Sequence, residues 1–243
     1  MELDNRKLRS ELGLFLSYSI VYVFIVAAFS VVIKRFPMPI LEAEKFTQDV
    51  WYVVFVKIIF LLFVPLFIYR KLGHKILPIF KVKFNWSIAF AIACCFFIGI
   101  ILNGGYLAKI NSTVARGGPA TWLEFTVGLF LPLVQAAIPE EIFYRYILQT
   151  RLEKAIGRTL GILCSSFLFA AFHFPSRYLL ASGVEGSAGD IYSIVQGTML
   201  PVFVIGIVLG LLWAKFRNIW VLVALHFGID TLPSIASFLH IVK

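Results

Sequence analysis

The sequence is poor in charged residues. Only 14% of its 243 residues are Asp, Glu, Lys or Arg, whereas a typical soluble domain has about 25%. It also lacks internal repeats, low-complexity tracts and any polar linker between domains, while 60% of its residues are hydrophobic. These absences exclude an ordinary soluble or disordered protein. They predict a single integral-membrane domain over residues 1–243.

The long apolar runs lack the period-2 alternation of barrel strands. Backbone amides inside a bilayer must be hydrogen-bonded within the protein, so spans of this kind are helices. The sequence therefore predicts an all-α, polytopic transmembrane bundle of about seven helices, or eight if Pro201 divides the sixth span. The span at 160–174 is short, because about 20 residues are usually needed to cross a bilayer. The predicted helices cover residues 12–33, 51–69, 86–108, 121–151, 160–174, 191–216 and 219–240.

Cysteine is scarce. Cys94, Cys95 and Cys164 all lie within apolar runs, which is typical of small buried residues and not of a disulfide or zinc framework. Residues 12–33 exceed the apolar core of a signal peptide, about 7–15 residues, and end at Lys34-Arg35 without a small-residue cleavage site. We therefore expect residues 12–33 to form a first span that follows a charged tail, Met1 to Glu11.

Acidic residues are fewer than basic ones, which gives a net charge of +9. Nucleic acid is not indicated as a partner, because no soluble basic domain accompanies this charge. The positive residues occur in short loops, where they fit contact with anionic membrane lipids. Most of them fall on the N-terminal side of the membrane if there are seven spans, which predicts a cytoplasmic N-terminus.

Two adjacent carboxylates stand out in this apolar sequence, at the end of the run from Trp122 to Ile138. A charge near the bilayer centre costs about 2.5 kcal/mol or more, so such groups face a polar cavity and have partners. Glu141 and Arg145 are four residues apart and are predicted to pair on one helix face. Glu140 lies about 100° further round the helix. This arrangement predicts one neutralised carboxylate and one that is free to act.

Two further polar groups lie in other spans. One is His173, and the other is the pair His226 and Asp230, again four residues apart on one helix face. A carboxylate one turn away would fix the tautomer of His226 and raise its basicity. Together with Glu140, the two histidines could activate water directly or bind zinc with an open position.

Each of these groups also has a structural interpretation. A single histidine near a span end is most often interfacial, and a Glu–Arg pair is more often structural than catalytic. The occurrence of all three groups on separate helices of the C-terminal half favours a functional site. Other polar residues have simpler interpretations: Lys57 would extend to the membrane interface, while His74 and His240 would be solvated. Gly206 and Gly210 indicate close helix packing.

These residues resemble the motifs of the CPBP family, the CAAX-type and bacteriocin-processing membrane proteases also called the Abi family. The family pattern is Glu-Glu-xxx-Arg, then Phe-xxx-His, then His-xxx-Asn or Asp. All three parts of the pattern are present here in the same order. The resemblance covers about residues 120–235. The groupings are Glu140-Glu141 with Arg145, Phe169 with His173, and His226 with Asp230.

The resemblance implies an intramembrane endopeptidase. Glu140 would be the general base for the hydrolytic water, assisted by His173, while Glu141 and Arg145 would hold the shape of the site. His226 and Asp230 would stabilise the oxyanion or hold a metal. Both a metalloprotease mechanism and a metal-free glutamate mechanism have been proposed for the family, so zinc or another divalent metal stays an open cofactor. Its ligands would be Glu140, His173 and His226.

The expected substrate is a membrane-associated, prenylated or lipoprotein-derived peptide. Two other functions stay open at this point. Proteins resembling this family are linked to N-acylation of bacterial lipoproteins, in which a similar site would activate an amine instead of water. A non-catalytic membrane regulator is the third possibility.

Overall fold

A computed structural model describes residues 5–81 and 85–241 of the chain, and every regular element within these ranges is helical. In this described part of the chain, six helices are long and apolar enough to cross a membrane. The count is seven if Trp86–Leu102 and Gly104–Arg116, which are bent by 61° at their junction, form one span. The all-α transmembrane prediction is thus confirmed. In the described part of the chain no eighth span occurs, because Ile191–Phe216 continues through Pro201 as one span.

Residues 5–81 and 85–241 contain ten helices, numbered here in chain order, which are connected by short loops and 3-10 turns. The bundle is formed mainly by the long helices, while α3 and α8 are short. The helices are α1 (Asn5–Arg35), α2 (Trp51–Lys71), α3 (Leu77–Phe80), α4 (Trp86–Leu102), α5 (Leu107–Arg116), α6 (Pro119–Ile156), α7 (Arg158–Ala171), α8 (Phe174–Leu180), α9 (Ile191–Phe216) and α10 (Ile219–Phe238).

The first helix begins earlier than predicted. Asn5 already lies in α1, so most of the expected charged tail is helical. Glu11 is buried and pairs with Arg151 of α6 across a distance of 2.7 Å. His74, predicted to be solvated, is partly buried and lies 3.0 Å from the Glu11 carboxylate. The predicted start of the helix was wrong because we placed it after the last charged residue of the tail. Buried charged residues can lie within a helix when they pair.

Widened, π-helical turns interrupt three of the long helices. They occupy Trp51–Phe63 in α2, two segments of α6 and Val195–Met199 in α9. Three of these segments end two residues before a proline: Pro65, Pro139 and Pro201. Proline lacks an amide hydrogen, and its ring collides with the carbonyl four residues earlier in a regular helix. We attribute these three wide turns to this collision, since an extra residue in the turn moves that carbonyl away.

Helix α10 is the most buried span, with 72% of its most apolar window buried against 22–50% for the other five spans. It packs backbone to backbone against α4 at two glycines. A Cβ atom added to Gly99 would lie 2.6 Å from the Leu225 carbonyl oxygen, and one on Gly228 would collide with the Phe96 carbonyl. This close approach places α10, with His226 and Asp230, in the middle of the bundle.

The packing predicted for α9 is confirmed. A Cβ atom added to Gly206 would lie 3.1 Å from Ser166, and one on Gly210 would lie 2.9 Å from Ile162, so α9 and α7 are in close contact. The prediction that all three cysteines are buried is wrong for Cys164, which is exposed on α7. Position in an apolar run does not tell which face of a helix points outward to lipid.

Candidate active site

A cavity of about 310 Å³ lies between α2, α6, α7, α8, α9 and α10. Glu140, His173, His226 and Asp230 line it together, although they come from three separate parts of the chain. Glu141 and Arg145 do not line it. They are completely buried behind it. Several polar residues outside the predicted set also line the cavity: Lys45, Gln48, Lys57, Gln135, Arg177, Glu185 and Thr198.

Glu140 follows the first wide-turn segment of α6 and is buried. Its Oε1 atom forms an ion pair with the Lys57 ammonium of α2, and its Oε2 atom lies 3.6 Å from His226 Nε2. The prediction of an unpaired Glu140 is therefore wrong, and so is that of Lys57 extending to the membrane interface. The reason is physical: a carboxylate and an ammonium removed from water are each costly unless they pair.

The predicted ion pair between Glu141 and Arg145 is confirmed. Arg145 Nε lies 3.3 Å from Glu141 Oε2, and neither side chain is exposed. The Arg145 guanidinium also lies over the Phe169 ring, 4.8 Å from its centre, and Nη1 donates to the Ser165 hydroxyl at 3.3 Å. These contacts fix the orientation of α6 against α7.

His226 is held by carboxylates on both ring nitrogens. Its Nδ1 lies 2.8 Å from Glu141 Oε1, and its Nε2 lies 3.4 Å from Asp230 Oδ2. The sequence pointed to Asp230 as the residue that fixes the tautomer, but Glu141 makes the shorter contact. Because an ionised carboxylate can only accept, Nδ1 donates to Glu141. The Nε2 atom then faces Glu140 and Asp230 at the cavity.

His173 lies at the junction between α7 and α8. Its Nδ1 is 2.9 Å from the Phe169 carbonyl oxygen. A carbonyl can only accept a hydrogen bond, so Nδ1 carries the proton and Nε2 keeps a lone pair. The sequence placed His173 near the far end of a short span. In the structure the span extends over 23 residues, Arg158–Leu180, and His173 lies within it.

Phe169 was named in the family motif, but sequence reasoning assigned no role to its ring. Its ring makes edge-on contacts with both histidines, with centre-to-centre distances of 5.3 Å to His173 and 6.1 Å to His226. Its carbonyl accepts the His173 hydrogen bond described above. Besides the motif, the signal in the sequence was its position four residues before His173, which places it one helical turn away.

Two basic residues at the cavity were also missed. Lys57 is only 4% exposed, although it was interpreted as an interfacial residue. Arg177 of α8 is buried beside the Tyr52 hydroxyl, at 3.3 Å, and beside Glu185 Oε2, also at 3.3 Å. Lys57 could have been identified, because a charge in the interior of a span usually has a buried partner. Arg177 lies beyond the predicted span and gave no such signal.

The proposed metal ligands do not fit a metal site in this arrangement. Among residues 5–81 and 85–241, no group of three His, Cys, Asp or Glu side chains is placed to hold a metal ion. In addition, the Lys57 ammonium contacts Glu140, a named candidate ligand, and a cation there opposes the binding of a second cation.

Comparison with known proteins gives a family match for part of the chain. Residues 122–232 match the family model described as Rce1-like, type II CAAX prenyl endopeptidase Rce1-like. Comparisons with curated proteins and with solved structures find no match. The matched segment includes all six residues predicted for the site, and Lys57 lies outside it. Residues 122–232 therefore form a domain similar to the Rce1-like type II CAAX prenyl endopeptidases, the CPBP or Abi proteases.

Proposed function

We propose that this protein is an intramembrane endopeptidase that hydrolyses a peptide bond of a membrane-associated or lipidated peptide. The observation that carries the proposal is the juxtaposition of Glu140 and His226 at a cavity within the membrane-spanning helices, with 3.6 Å between Oε2 and Nε2. A base and a second polar group at this separation can act on the same water molecule or carbonyl. The similarity of residues 122–232 to type II CAAX prenyl endopeptidases supports a peptide as the substrate.

In the proposed reaction, Glu140 Oε2 removes a proton from a water molecule in the cavity. The water oxygen forms a bond to the scissile carbonyl carbon, whose π electrons move onto the carbonyl oxygen. The intermediate then collapses, the carbon–nitrogen bond breaks, and the proton held by Glu140 passes to the leaving amine. This sequence consumes one water molecule and needs no other reactant.

The two histidines have different proposed roles. His173 has its Nε2 lone pair free, so it accepts a hydrogen bond from the water and orients it, assisting Glu140. His226 donates from Nδ1 to Glu141, and the Glu140 and Asp230 carboxylates that face its Nε2 favour a proton there as well, so Nε2–H donates to the oxyanion and stabilises it. Asp230 limits the rotation of the His226 ring, and Arg145 keeps Glu141 in place.

The test is cleavage of synthetic peptides by the purified protein in liposomes. Peptides that end in a prenylated cysteine and three further residues are compared with the same peptides without the lipid, and products are identified by mass spectrometry. We expect the unmodified protein to release the C-terminal tripeptide. Glu140→Gln should lower kcat by about 10²- to 10⁴-fold, the usual contribution of a general base.

Two further variants sharpen this test. His173→Ala should lower kcat as well, because the water loses an orienting partner. Glu124→Gln is the matched control for Glu140→Gln and should cleave normally, because Glu124 lies on α6 like Glu140 but outside the cavity. Cleavage by Glu140→Gln at the normal rate would contradict the proposed role of Glu140. No cleavage of any peptide by the unmodified protein would contradict the proposed function.

A further inference from the structure

Lys57 is a buried cation that contacts the proposed base from outside the family-matched segment. It lies in the wide-turn segment Trp51–Phe63 of α2, and its ammonium pairs with Glu140 Oε1. Two aromatic rings surround it, with their centres 4.6 Å away for Phe172 and 5.3 Å away for Tyr52. These contacts hold the ammonium at one fixed position beside the carboxylate, because ring faces attract a cation.

We propose that Lys57 is a positioning residue for the peptidase reaction, which holds the Glu140 carboxylate so that only Oε2 is available to the water. This inference rests on the proposed function. The Oε1 atom is occupied by the ammonium, while Oε2 lies on the side of His226 and the cavity. A carboxylate held at one oxygen cannot rotate freely. The reacting oxygen is therefore fixed before the substrate binds.

A merely structural ion pair is the alternative to this proposal. A buried pair of opposite charges is on average no more stabilising than well-packed apolar residues, so stability alone does not explain why a lysine occupies this position. The choice of partner points to the reaction: Lys57 contacts the carboxylate at the cavity, whereas Arg145 neutralises the carboxylate behind it. The site thus extends beyond residues 122–232 and needs α2.

The first experiment compares the kinetics of three variants. Lys57→Met removes the charge but keeps most of the chain length, Lys57→Arg keeps the charge, and Lys71→Met changes an exposed lysine on the same helix. We expect Lys57→Met to lower kcat by about 10- to 100-fold, the effect of a misplaced catalytic group, with KM changed less than about twofold. Lys57→Arg should recover part of kcat, and Lys71→Met should match the unmodified protein. A folded Lys57→Met protein with a normal kcat would overturn the proposal.

The second experiment needs no substrate, and it tests the contact between Lys57 and Glu140 on which the proposal depends. Apparent melting temperatures are measured for Lys57→Met, Glu140→Gln and the double variant. Removing one partner of a buried pair leaves an unpaired charge, so Lys57→Met should melt about 5 °C or more below the unmodified protein. In the Glu140→Gln background, Lys57→Met should lower the melting temperature much less. Equal effects in both backgrounds would show that the two side chains do not interact, which overturns the proposal.

The two experiments separate two kinds of failure. If the unmodified protein cleaves no peptide but the effects of the two variants on the melting temperature depend on each other, then the proposed hydrolysis is wrong. The contact between Lys57 and Glu140 then stands. If peptides are cleaved but no coupling is found and Lys57→Met keeps a normal kcat, then the peptidase proposal stands and the role of Lys57 is refuted.

Discussion

Loss of the Arg145 charge should destabilise the protein strongly, since Arg145 and its partner Glu141 are both fully buried. Arg145→Met leaves the Glu141 carboxylate without its guanidinium. Breaking a buried pair in this way costs about 3–5 kcal/mol. Glu141 keeps its contact with His226, at 2.8 Å, so we place the cost at the lower end, about 3 kcal/mol. For a chain of this size, that corresponds to a fall of about 6–12 °C in the melting temperature.

The assay is tryptophan fluorescence during heating of the purified protein in detergent. The combined variant Glu141→Gln with Arg145→Met is the internal control, because it removes the orphaned charge along with its partner. The amide oxygen that Glu141→Gln introduces can still accept the hydrogen bond from His226 Nδ1, so we expect at least half of the lost melting temperature to return. The reasoning is refuted if Arg145→Met melts within about 1 °C of the unmodified protein, or if the combined variant is no more stable than Arg145→Met.

Two further predictions concern packing. Gly228→Ala should lower stability by about 3 kcal/mol, because the new methyl group meets the Phe96 backbone, which cannot move aside as a side chain can. Gly13→Ala has open space around it and lies within α1, where alanine is favoured over glycine, so it should not lower stability. Phe169→Leu should keep the backbone carbonyl and most of the volume, so the stability cost should stay below about 1.5 kcal/mol. It removes the ring contacts to both histidines, and kcat should therefore fall about tenfold, whereas Phe167→Leu on the exposed face of α7 should leave kcat unchanged.

Melting temperatures and peptide cleavage rates check these packing predictions. Equal stability of Gly228→Ala and Gly13→Ala would show that α4 and α10 do not cross at the glycines. A Phe169→Leu protein that loses stability and activity in proportion would indicate a packing residue with no particular influence on the histidines.

The parts of the site that could be predicted from the sequence depend on short spacing along one helix. Glu141 and Arg145 are four residues apart, and so are His226 and Asp230, and both pairs are in contact in the structure. The all-α membrane fold followed from the apolar runs in the same direct way. Local spacing and hydropathy need no knowledge of how the helices are packed.

The contacts that could not be predicted are those that depend on helix rotation. Lys57 meets Glu140 across the bundle, and both lie in or beside wide turns that shift the faces of α2 and α6 away from a regular 3.6-residue period. The same limitation applies to Cys164, whose face is exposed. In α2 and α6, a regular helical period predicts the direction of a side chain correctly only up to the first wide turn.

The roles assigned to the individual site residues, the single-domain organisation and the cytoplasmic position of the N-terminus stay predictions. Accessibility of cysteines introduced into the loop around Lys75 would test the orientation directly. With a cytoplasmic N-terminus, that loop should react with an impermeant thiol reagent only after the membrane is opened. Labelling in intact cells would place the loop outside.

The most direct test of the account is to follow the oxygen atom of the attacking water. Cleavage of a prenylated peptide in water enriched in oxygen-18 should place a single heavy oxygen in the new C-terminal carboxylate, and Glu140→Gln should form almost none of this product. A shortened peptide without the heavy oxygen, or a product that carries an added acyl group instead, would contradict the claim that Glu140 activates water for peptide hydrolysis.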